Sequence, residues 1–218
     1  MLTLAVDPVA VDPSAVDPAA VAAFFDERAA AWDERRAADA DKLASILDYA
    51  DIREGSRVMD VGCGTGVLFR HYLARGARSV TGLDISEKML AVAREQHRDG
   101  RIRLIHGDAA RADPGRRFDR VMVLNALPHF PCARRLVARL ARFTEPGGRL
   151  TIAHDIGRDR VNAVHHRRAR AVSLDLIDER KLASLVSPFF AVDVVRSDED
   201  LYVVSGVRRA DGDVVPVT

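Results

Sequence analysis

The stretch Val58-Met59-Asp60-Val61-Gly62-Cys63-Gly64-Thr65-Gly66 limits what this chain can fold into more than any other feature. A short apolar run from Arg57 to Val61 leads straight into three alternating glycines, and a helical pattern follows over Val67 to Arg75. Glycine admits positive φ and lets the backbone approach a ligand closely. Amides at a helix start, with a carboxylate at the strand end, suit a ligand that carries both a carboxylate and a cation.

The sequence beyond the loop repeats strand and helix in alternation. Ser79 to Leu83 reads as a second strand ending at Asp84, and Ser86 caps a helix to His97 with Met89, Leu90 and Ala93 facing inward. Ile102 to Ile105 and Val121 to Leu124 are the third and fourth strands. Ala133 to Phe143 is an amphipathic helix, Pro146-Gly147-Gly148 a turn, and Arg149 to Ala153 the fifth strand. Continuous apolar strands separated by helices predict a parallel sheet covered on both faces. A helix over Asp178 to Leu185 precedes two strands, Phe190 to Val195 and Leu201 to Val207, joined by the acidic turn Ser197 to Asp200. So short a connection makes them antiparallel. The expected class is therefore α/β, a mostly parallel sheet with one antiparallel strand near an edge.

Ahead of this core, Val-Asp-Pro recurs at Val6, Val11 and Val16. Prolines at that spacing prevent a helix, so residues 1–17 are expected to form a flexible leader. Asp17 and Pro18 then suit a helix start. One helix is expected from Pro18 to Arg36 and another from Asp41 to Tyr49, together forming an N-terminal helical lid over residues 18–55. Residues 56–209 would be the core and 210–218 a tail.

Two ligands compete for the glycine loop. The dinucleotide fingerprint needs a glycine three positions after the second, where this chain has Val67. Asp84, 22 residues after Gly62, serves either ligand, because a carboxylate can accept two hydrogen bonds from a ribose diol. Taken together, Val58 to Gly66, Leu83-Asp84-Ile85-Ser86, Gly107-Asp108-Ala109, Phe118-Asp119-Arg120-Val121 and Glu145-Pro146-Gly147-Gly148-Arg149-Leu150 resemble, in order and spacing, the class I S-adenosylmethionine-dependent methyltransferases. The leading segment Phe24 to Ala29 with Trp32-Asp33 resembles the bacterial small-molecule members.

The resemblance implies a Rossmann-like seven-stranded sheet and S-adenosylmethionine as cofactor. It implies that Gly62, Gly64 and Gly66 pass beneath the methionine part and that Asp60 helps hold its amino group. Asp84 would bind the ribose hydroxyls. Asp108 would accept from the adenine amino group, Ala109 would supply an amide, and Ile85 and Met89 would pack on the ring. Asn125 would sit beside the methyl group. The reaction would be an in-line displacement, in which the enzyme positions the reactants and removes water.

The acceptor side is read from Asn125-Ala126-Leu127-Pro128-His129-Phe130. Enzymes of this superfamily that methylate amino groups of DNA or protein amides carry an Asn/Asp-Pro-Pro-aromatic motif there, which Leu127 and the displaced proline break. His129 and His154 follow the fourth and fifth strands, where an α/β sheet presents its active edge. They are the candidate catalytic residues, with His129 first as base. His165 and His166 are expected as solvated helix residues, and Arg158 to Arg170 as a solvated basic face whose lesser role would be to attract an anionic substrate across the mouth. The histidine spacing matches no compact zinc signature, so no metal is expected.

The charge sum of 33 basic against 32 acidic residues gives no reason to expect nucleic acid or an anionic membrane as partner. Two cysteines, Cys63 and Cys132, make no disulfide scaffold. The start lacks the layout of a signal peptide, and no apolar run reaches about 18 residues. The expectation is a cytoplasmic monomer or homodimer that methylates a small-molecule acceptor. The alternatives are a non-catalytic S-adenosylmethionine-binding protein and a nicotinamide-dependent oxidoreductase.

Overall fold

The strand–glycine–helix alternation winds into one seven-stranded sheet in the computed structural model, which describes residues 16–35 and 39–210. The strands are β1 (Arg57–Val61), β2 (Ser79–Asp84), β3 (Ile102–His106), β4 (Phe118–Leu124), β5 (Thr144–His154), β6 (Phe190–Ser197) and β7 (Tyr202–Arg208). Their order is β3-β2-β1-β4-β5-β7-β6. The first five strands pair in parallel, and β7 is antiparallel to both its neighbours. The order reverses between β1 and β4, and a sheet of this kind binds ligands at the carboxyl ends flanking such a point.

Seven α-helices accompany the strands among the described residues: α1 (Pro18–Asp26), α2 (Ala40–Tyr49), α3 (Phe69–Ala74), α4 (Glu87–Gln96), α5 (Ala133–Phe143), α6 (Arg158–Arg168) and α7 (Glu179–Val186). Helices α2, α3 and α4 bury Ile46, Phe69, Tyr72 and Leu90 against one face of the sheet. Helices α5 and α7 bury Leu136, Val137, Leu140 and Leu182 against the other. Ser86 caps α4 by accepting from the Met89 amide at 3.1 Å, and Asp178 caps α7 through the Arg180 and Lys181 amides. No described helix is long and apolar enough to cross a membrane.

Four elements differ from the sequence expectation. The first helix ends at Asp26 instead of Arg36, and short 3-10 turns follow at Ala29–Ala31 and Asp33–Arg35. Arg28 bonds the Phe24 carbonyl at 2.8 Å, and the chain turns to lay Trp32 and Asp33 across the sheet edge. Helix α2 packs into the core instead of covering the cleft, so among the described residues of the expected lid the segment 18–35 alone lies over the carboxyl edge. Strand β4 begins at Phe118, because Asp119 takes the Arg57 amide at 2.8 Å and its Nε at 3.0 Å, locking β4 beside β1. Strand β5 begins at Thr144 and carries Pro146-Gly147-Gly148 as an irregularity in the β4 pairing. The expected leader and tail lie outside the described residues, apart from Val16, Asp17 and Ala210.

Candidate functional site

The loop after β1 is shaped by contacts that exclude side chains. The Gly62 amide donates to the Leu83 carbonyl at 2.7 Å, drawing the loop onto the end of β2. Gly62 has φ +70°, and a Cβ there would stand 2.7 Å from the Ala126 Cβ. Gly66, at φ +84°, would drive a Cβ to 2.5 Å from the Phe69 ring. These positions therefore admit only glycine without rearrangement.

Asp84 braces the same loop. Its Oδ2 accepts from the Gly64 amide at 2.8 Å and its Oδ1 from the Ser86 amide at 2.9 Å. The side chain is nearly buried, and that desolvation raises its pKa although the two amides oppose it. Each carboxylate oxygen retains capacity for a second donor, which suits a diol.

Asp60 lies behind the loop. Tyr72 donates to its Oδ2 at 3.1 Å, and burial, reinforced by the neighbouring Asp84 charge, pushes its pKa up to about 7. Asp60 is not part of the cleft lining, and neither is Gly66. The Cys63 thiol is buried and its pKa is raised by desolvation, so it is not a ready nucleophile.

The cleft itself is lined by Gly62, Gly64, Asp84 and Asn125, and further along by Ile85, Met89, Asp108 and Ala109. Asp108 holds its own turn, accepting from the Ala110 amide at 2.9 Å. Asn125 has φ +56° at the end of β4. Its amide donates to the Ala153 carbonyl at 2.8 Å and its Oδ1 accepts from the Asp155 amide at 3.1 Å, which ties the tips of β4 and β5 together.

The segment 18–35 covers the cleft through two carboxylates. Asp26 Oδ1 accepts from the Ser86 hydroxyl at 2.5 Å and the Lys88 amide at 3.1 Å. These bonds hold the Asp26 carboxyl below its ordinary range, led by the Ser86 contact. Asp33 accepts from the Thr65 hydroxyl at 2.7 Å and from Gln96 Nε2 at 2.8 Å. Pro18, Val21, Phe25 and Trp32 thereby become one wall of the cleft.

A second and larger cavity, about 320 Å³ against about 110 Å³, adjoins the first. Phe25, Trp32, Asn125 and His129 line both. His129 bonds the Val172 carbonyl through Nδ1 at 2.8 Å, so the neutral ring carries its proton on Nδ1 and its lone pair on Nε2. Its ring meets Phe25 edge-on at 4.9 Å and His165 at 5.1 Å between centroids. His154 lines the second cavity from the end of β5, buried at 2% exposure with its ring against Tyr202.

His165 also lines this cavity, against the expectation of a solvated position, whereas His166 turns outward and pairs with Asp175 at 2.6 Å. Helix α6 has only Val161 buried and so offers no periodic signal for which face turns inward. Arg28, from the leading segment, and Arg168, from the basic run of α6, line the cavity too. Among the described residues no group of three or more His, Cys, Asp or Glu side chains is placed to hold a metal ion.

Residues 58–148 match the sequence model of a methyltransferase domain, spanning β1 to the turn within β5. Over these residues the chain is similar to the class I S-adenosylmethionine-dependent methyltransferases. It is 31% identical over 134 residues to 27-O-demethylrifamycin SV methyltransferase of Amycolatopsis mediterranei, covering 59% of this chain and 48% of that protein. It is 38% identical over 113 residues to the ubiquinone biosynthesis O-methyltransferase of Dechloromonas aromatica, covering 49% and 47% respectively. The chain thus spans about half the length of the curated relatives it matches. A Mesorhizobium loti S-adenosylmethionine-dependent methyltransferase structure shares the fold at TM-score 0.63 and 21% identity, covering 76% of this chain and 96% of that one. A chain of the complex between the Haloferax volcanii Trm112 methyltransferase activator and a methyltransferase superposes at TM-score 0.74 and 19% identity, covering 87% and 98%. The methyltransferase assignment also displaces the nicotinamide alternative raised by the glycine loop.

Proposed function

We propose that this protein transfers a methyl group from S-adenosylmethionine to a small-molecule acceptor. The observation that carries the reading is the junction of two cavities at Asn125 and His129, one floored by the glycine loop and Asp84, the other open for an acceptor. S-adenosylmethionine supplies an electrophilic methyl group on its sulfonium. The chain's own residues fit that ligand: the backbone at Gly62 and Gly64 leaves room where a side chain would intrude on the cleft, and Asp84 offers a buried carboxylate toward a diol.

Asp108, Ala109, Ile85 and Met89 form the far end of the cleft and would hold the adenine. Asp60 acts from behind, keeping the loop in place through Tyr72 and β1. The segment 18–35 serves as the lid, with Phe25 and Trp32 excluding water from the junction. His129 takes the proton from a hydroxyl or thiol acceptor at Nε2, while Val172 fixes the ring. His154, at the floor of the second cavity, orients the acceptor. The likeness to a 27-O-demethylrifamycin SV methyltransferase and to a ubiquinone biosynthesis O-methyltransferase favours an oxygen acceptor on a small molecule. A cytoplasmic location accords with such a substrate.

The test is transfer of labelled methyl from S-adenosylmethionine to a panel of phenols, thiols and amines, run beside thermal shifts with S-adenosylhomocysteine and NAD. Stabilisation by S-adenosylhomocysteine and not by NAD, with turnover of at least one acceptor, is expected. A shift with NAD alone would sink the reading.

A further inference from the structure

We propose that the second cavity selects an anionic aromatic acceptor, a planar hydroxy compound whose carboxylate or equivalent anion faces Arg168 and Arg28. The inference rests on the methyltransferase reading and adds the chemical class of its acceptor.

The cavity joins two kinds of lining. Phe24, Phe25 and Trp32 present rings on the side of the N-terminal segment, and Ile156, Val161 and Val164 face them from the β5–α6 side. Phe25 stands edge-on to both Phe24 and Trp32, at 5.3 and 5.4 Å, so the three rings form a fixed aromatic wall. A wall of this kind favours a flat apolar body over a flexible polar one.

The charged lining is all of one sign. Among the described residues, Arg28 and Arg168 are its charged side chains, and no aspartate or glutamate lines it. Arg28 is held in place, with its guanidinium carbon 3.6 Å above the Phe24 ring centroid and Nη1 on the Phe24 carbonyl at 2.8 Å. Glu27 reaches that same Nη1 at 3.2 Å, from a position outside the lining. Arg168, in the last turn of α6, forms no hydrogen bond or ion pair among the described residues. By contrast Arg75, Arg101, Arg149 and Arg196 are each paired with an aspartate. An unpaired, solvent-exposed guanidinium lining a cavity that also carries a fixed second arginine and three aromatic rings is suited to an arene carrying an anion. His129 and Asn125 stand where this cavity meets the cofactor cleft, which places the acceptor hydroxyl at that end and the anion at the α6 end.

The experiment is calorimetric titration of the full chain, saturated with S-adenosylhomocysteine, with 3-hydroxybenzoate, 3-(4-hydroxyphenyl)propanoate and 6-hydroxy-2-naphthoate, each against its primary amide. Trp32, the only tryptophan of the chain, supplies a second readout by fluorescence. At least one carboxylate is expected to bind about tenfold tighter than its amide, the size of one solvent-exposed charge-assisted contact. Arg168→Gln should reduce that preference to about threefold or less, and Arg167→Gln, one residue away and outside the lining, should preserve it. S-adenosylhomocysteine affinity should be the same in all three proteins. Amides that bind as tightly as every carboxylate, no detectable binding of either, or a preference that survives Arg168→Gln would each overturn the proposal. Failure of S-adenosylhomocysteine itself to bind would instead overturn the methyltransferase reading beneath it.

Discussion

The Thr65 hydroxyl, inside the glycine loop, donates to Asp33 Oδ1 at 2.7 Å, joining the two segments between which the cofactor cleft lies. Thr65 is buried and Asp33 also holds Gln96, so one carboxylate fixes the cover to both the loop and α4. Closing the cleft therefore depends on a bond that the bound ligand does not have to make.

Replacing Asp33 tests that dependence. Asp33→Ala removes two bonds to a charged acceptor, one of them exposed. S-adenosylhomocysteine affinity should fall roughly three- to tenfold by calorimetry. Gln96→Ala, which removes only the exposed bond, should change it by less than about twofold. Equal losses in both variants would show that Thr65 is not the anchoring partner.

The glycine loop can be probed by a matched pair. Gly62→Ala combines φ +70° with a Cβ 2.7 Å from Ala126, whereas Gly115→Ala has φ +75° and nothing within 4 Å. The second change should cost about 1 kcal/mol from backbone strain alone. The first should cost about 2 kcal/mol or more beyond that, from overlap in a packed region, and should also weaken S-adenosylhomocysteine. Chemical denaturation of both variants separates the contributions. Identical losses would mean that the Ala126 contact is relieved without cost.

Asp60 makes stability depend on pH. Its folded pKa of about 7 stands above the ordinary value of 3.8, so between those values the folded state binds the extra proton. This contribution is fully present below the unfolded pKa and is lost as pH rises through the folded one. The ligand-free protein should therefore melt lower at about pH 8 than at about pH 5.5 through this group, and Asp60→Asn, which keeps the Tyr72 bond without a charge, should flatten that slope. Melting curves of the two proteins across the range decide it; parallel slopes would assign the dependence elsewhere.

His129→Gln should lower turnover by about 10²–10⁴-fold with any hydroxyl acceptor that reacts, while leaving S-adenosylhomocysteine affinity within about twofold. The rise of kcat/KM with pH that reports deprotonation of the ring should vanish in the variant. Loss of turnover with that limb retained would make His129 a positioning residue.

Local signals carried most of the fold. The ranges of β1 and α5 coincide with their sequence reading, since a fully buried strand entering glycines and a strongly amphipathic helix each have one interpretation. The helix break at Asp26 was not legible. Nothing near Asp26 forbids a helix; it ends there because Asp26 is taken by Ser86 and Lys88, sixty and sixty-two residues away. His165 was hidden for a related reason. Among arginines and histidines on α6, only the docking of Val161 determines which face turns inward. That Gly62, Asp84 and Asn125 would meet along one cleft was legible because each stands at a strand end, where topology alone brings residues together.

Asp84 carries the sharpest prediction about the cofactor. Because it accepts the Gly64 and Ser86 amides, Asp84→Ala would strand two buried donors and loosen the loop, confusing binding with folding. Asp84→Asn keeps the size and one acceptor oxygen. Its amide group would face one of those backbone donors, so a modest drop in melting temperature is expected alongside the loss of the charged acceptor. Hydrogen bonds from ribose hydroxyls to a carboxylate are among the stronger kind, and their loss should weaken S-adenosylhomocysteine by on the order of 10²-fold. The raised pKa adds a second signature. A protonated Asp84 gives up acceptor capacity, so affinity of the parent protein should fall as pH drops through the raised value, while Asp84→Asn should show no such dependence from this group. Calorimetric titrations of both proteins over a series of pH values read both effects. A folded Asp84→Asn variant that binds S-adenosylhomocysteine within about twofold of the parent would move the ribose away from the end of β2 and onto another donor set along the cleft.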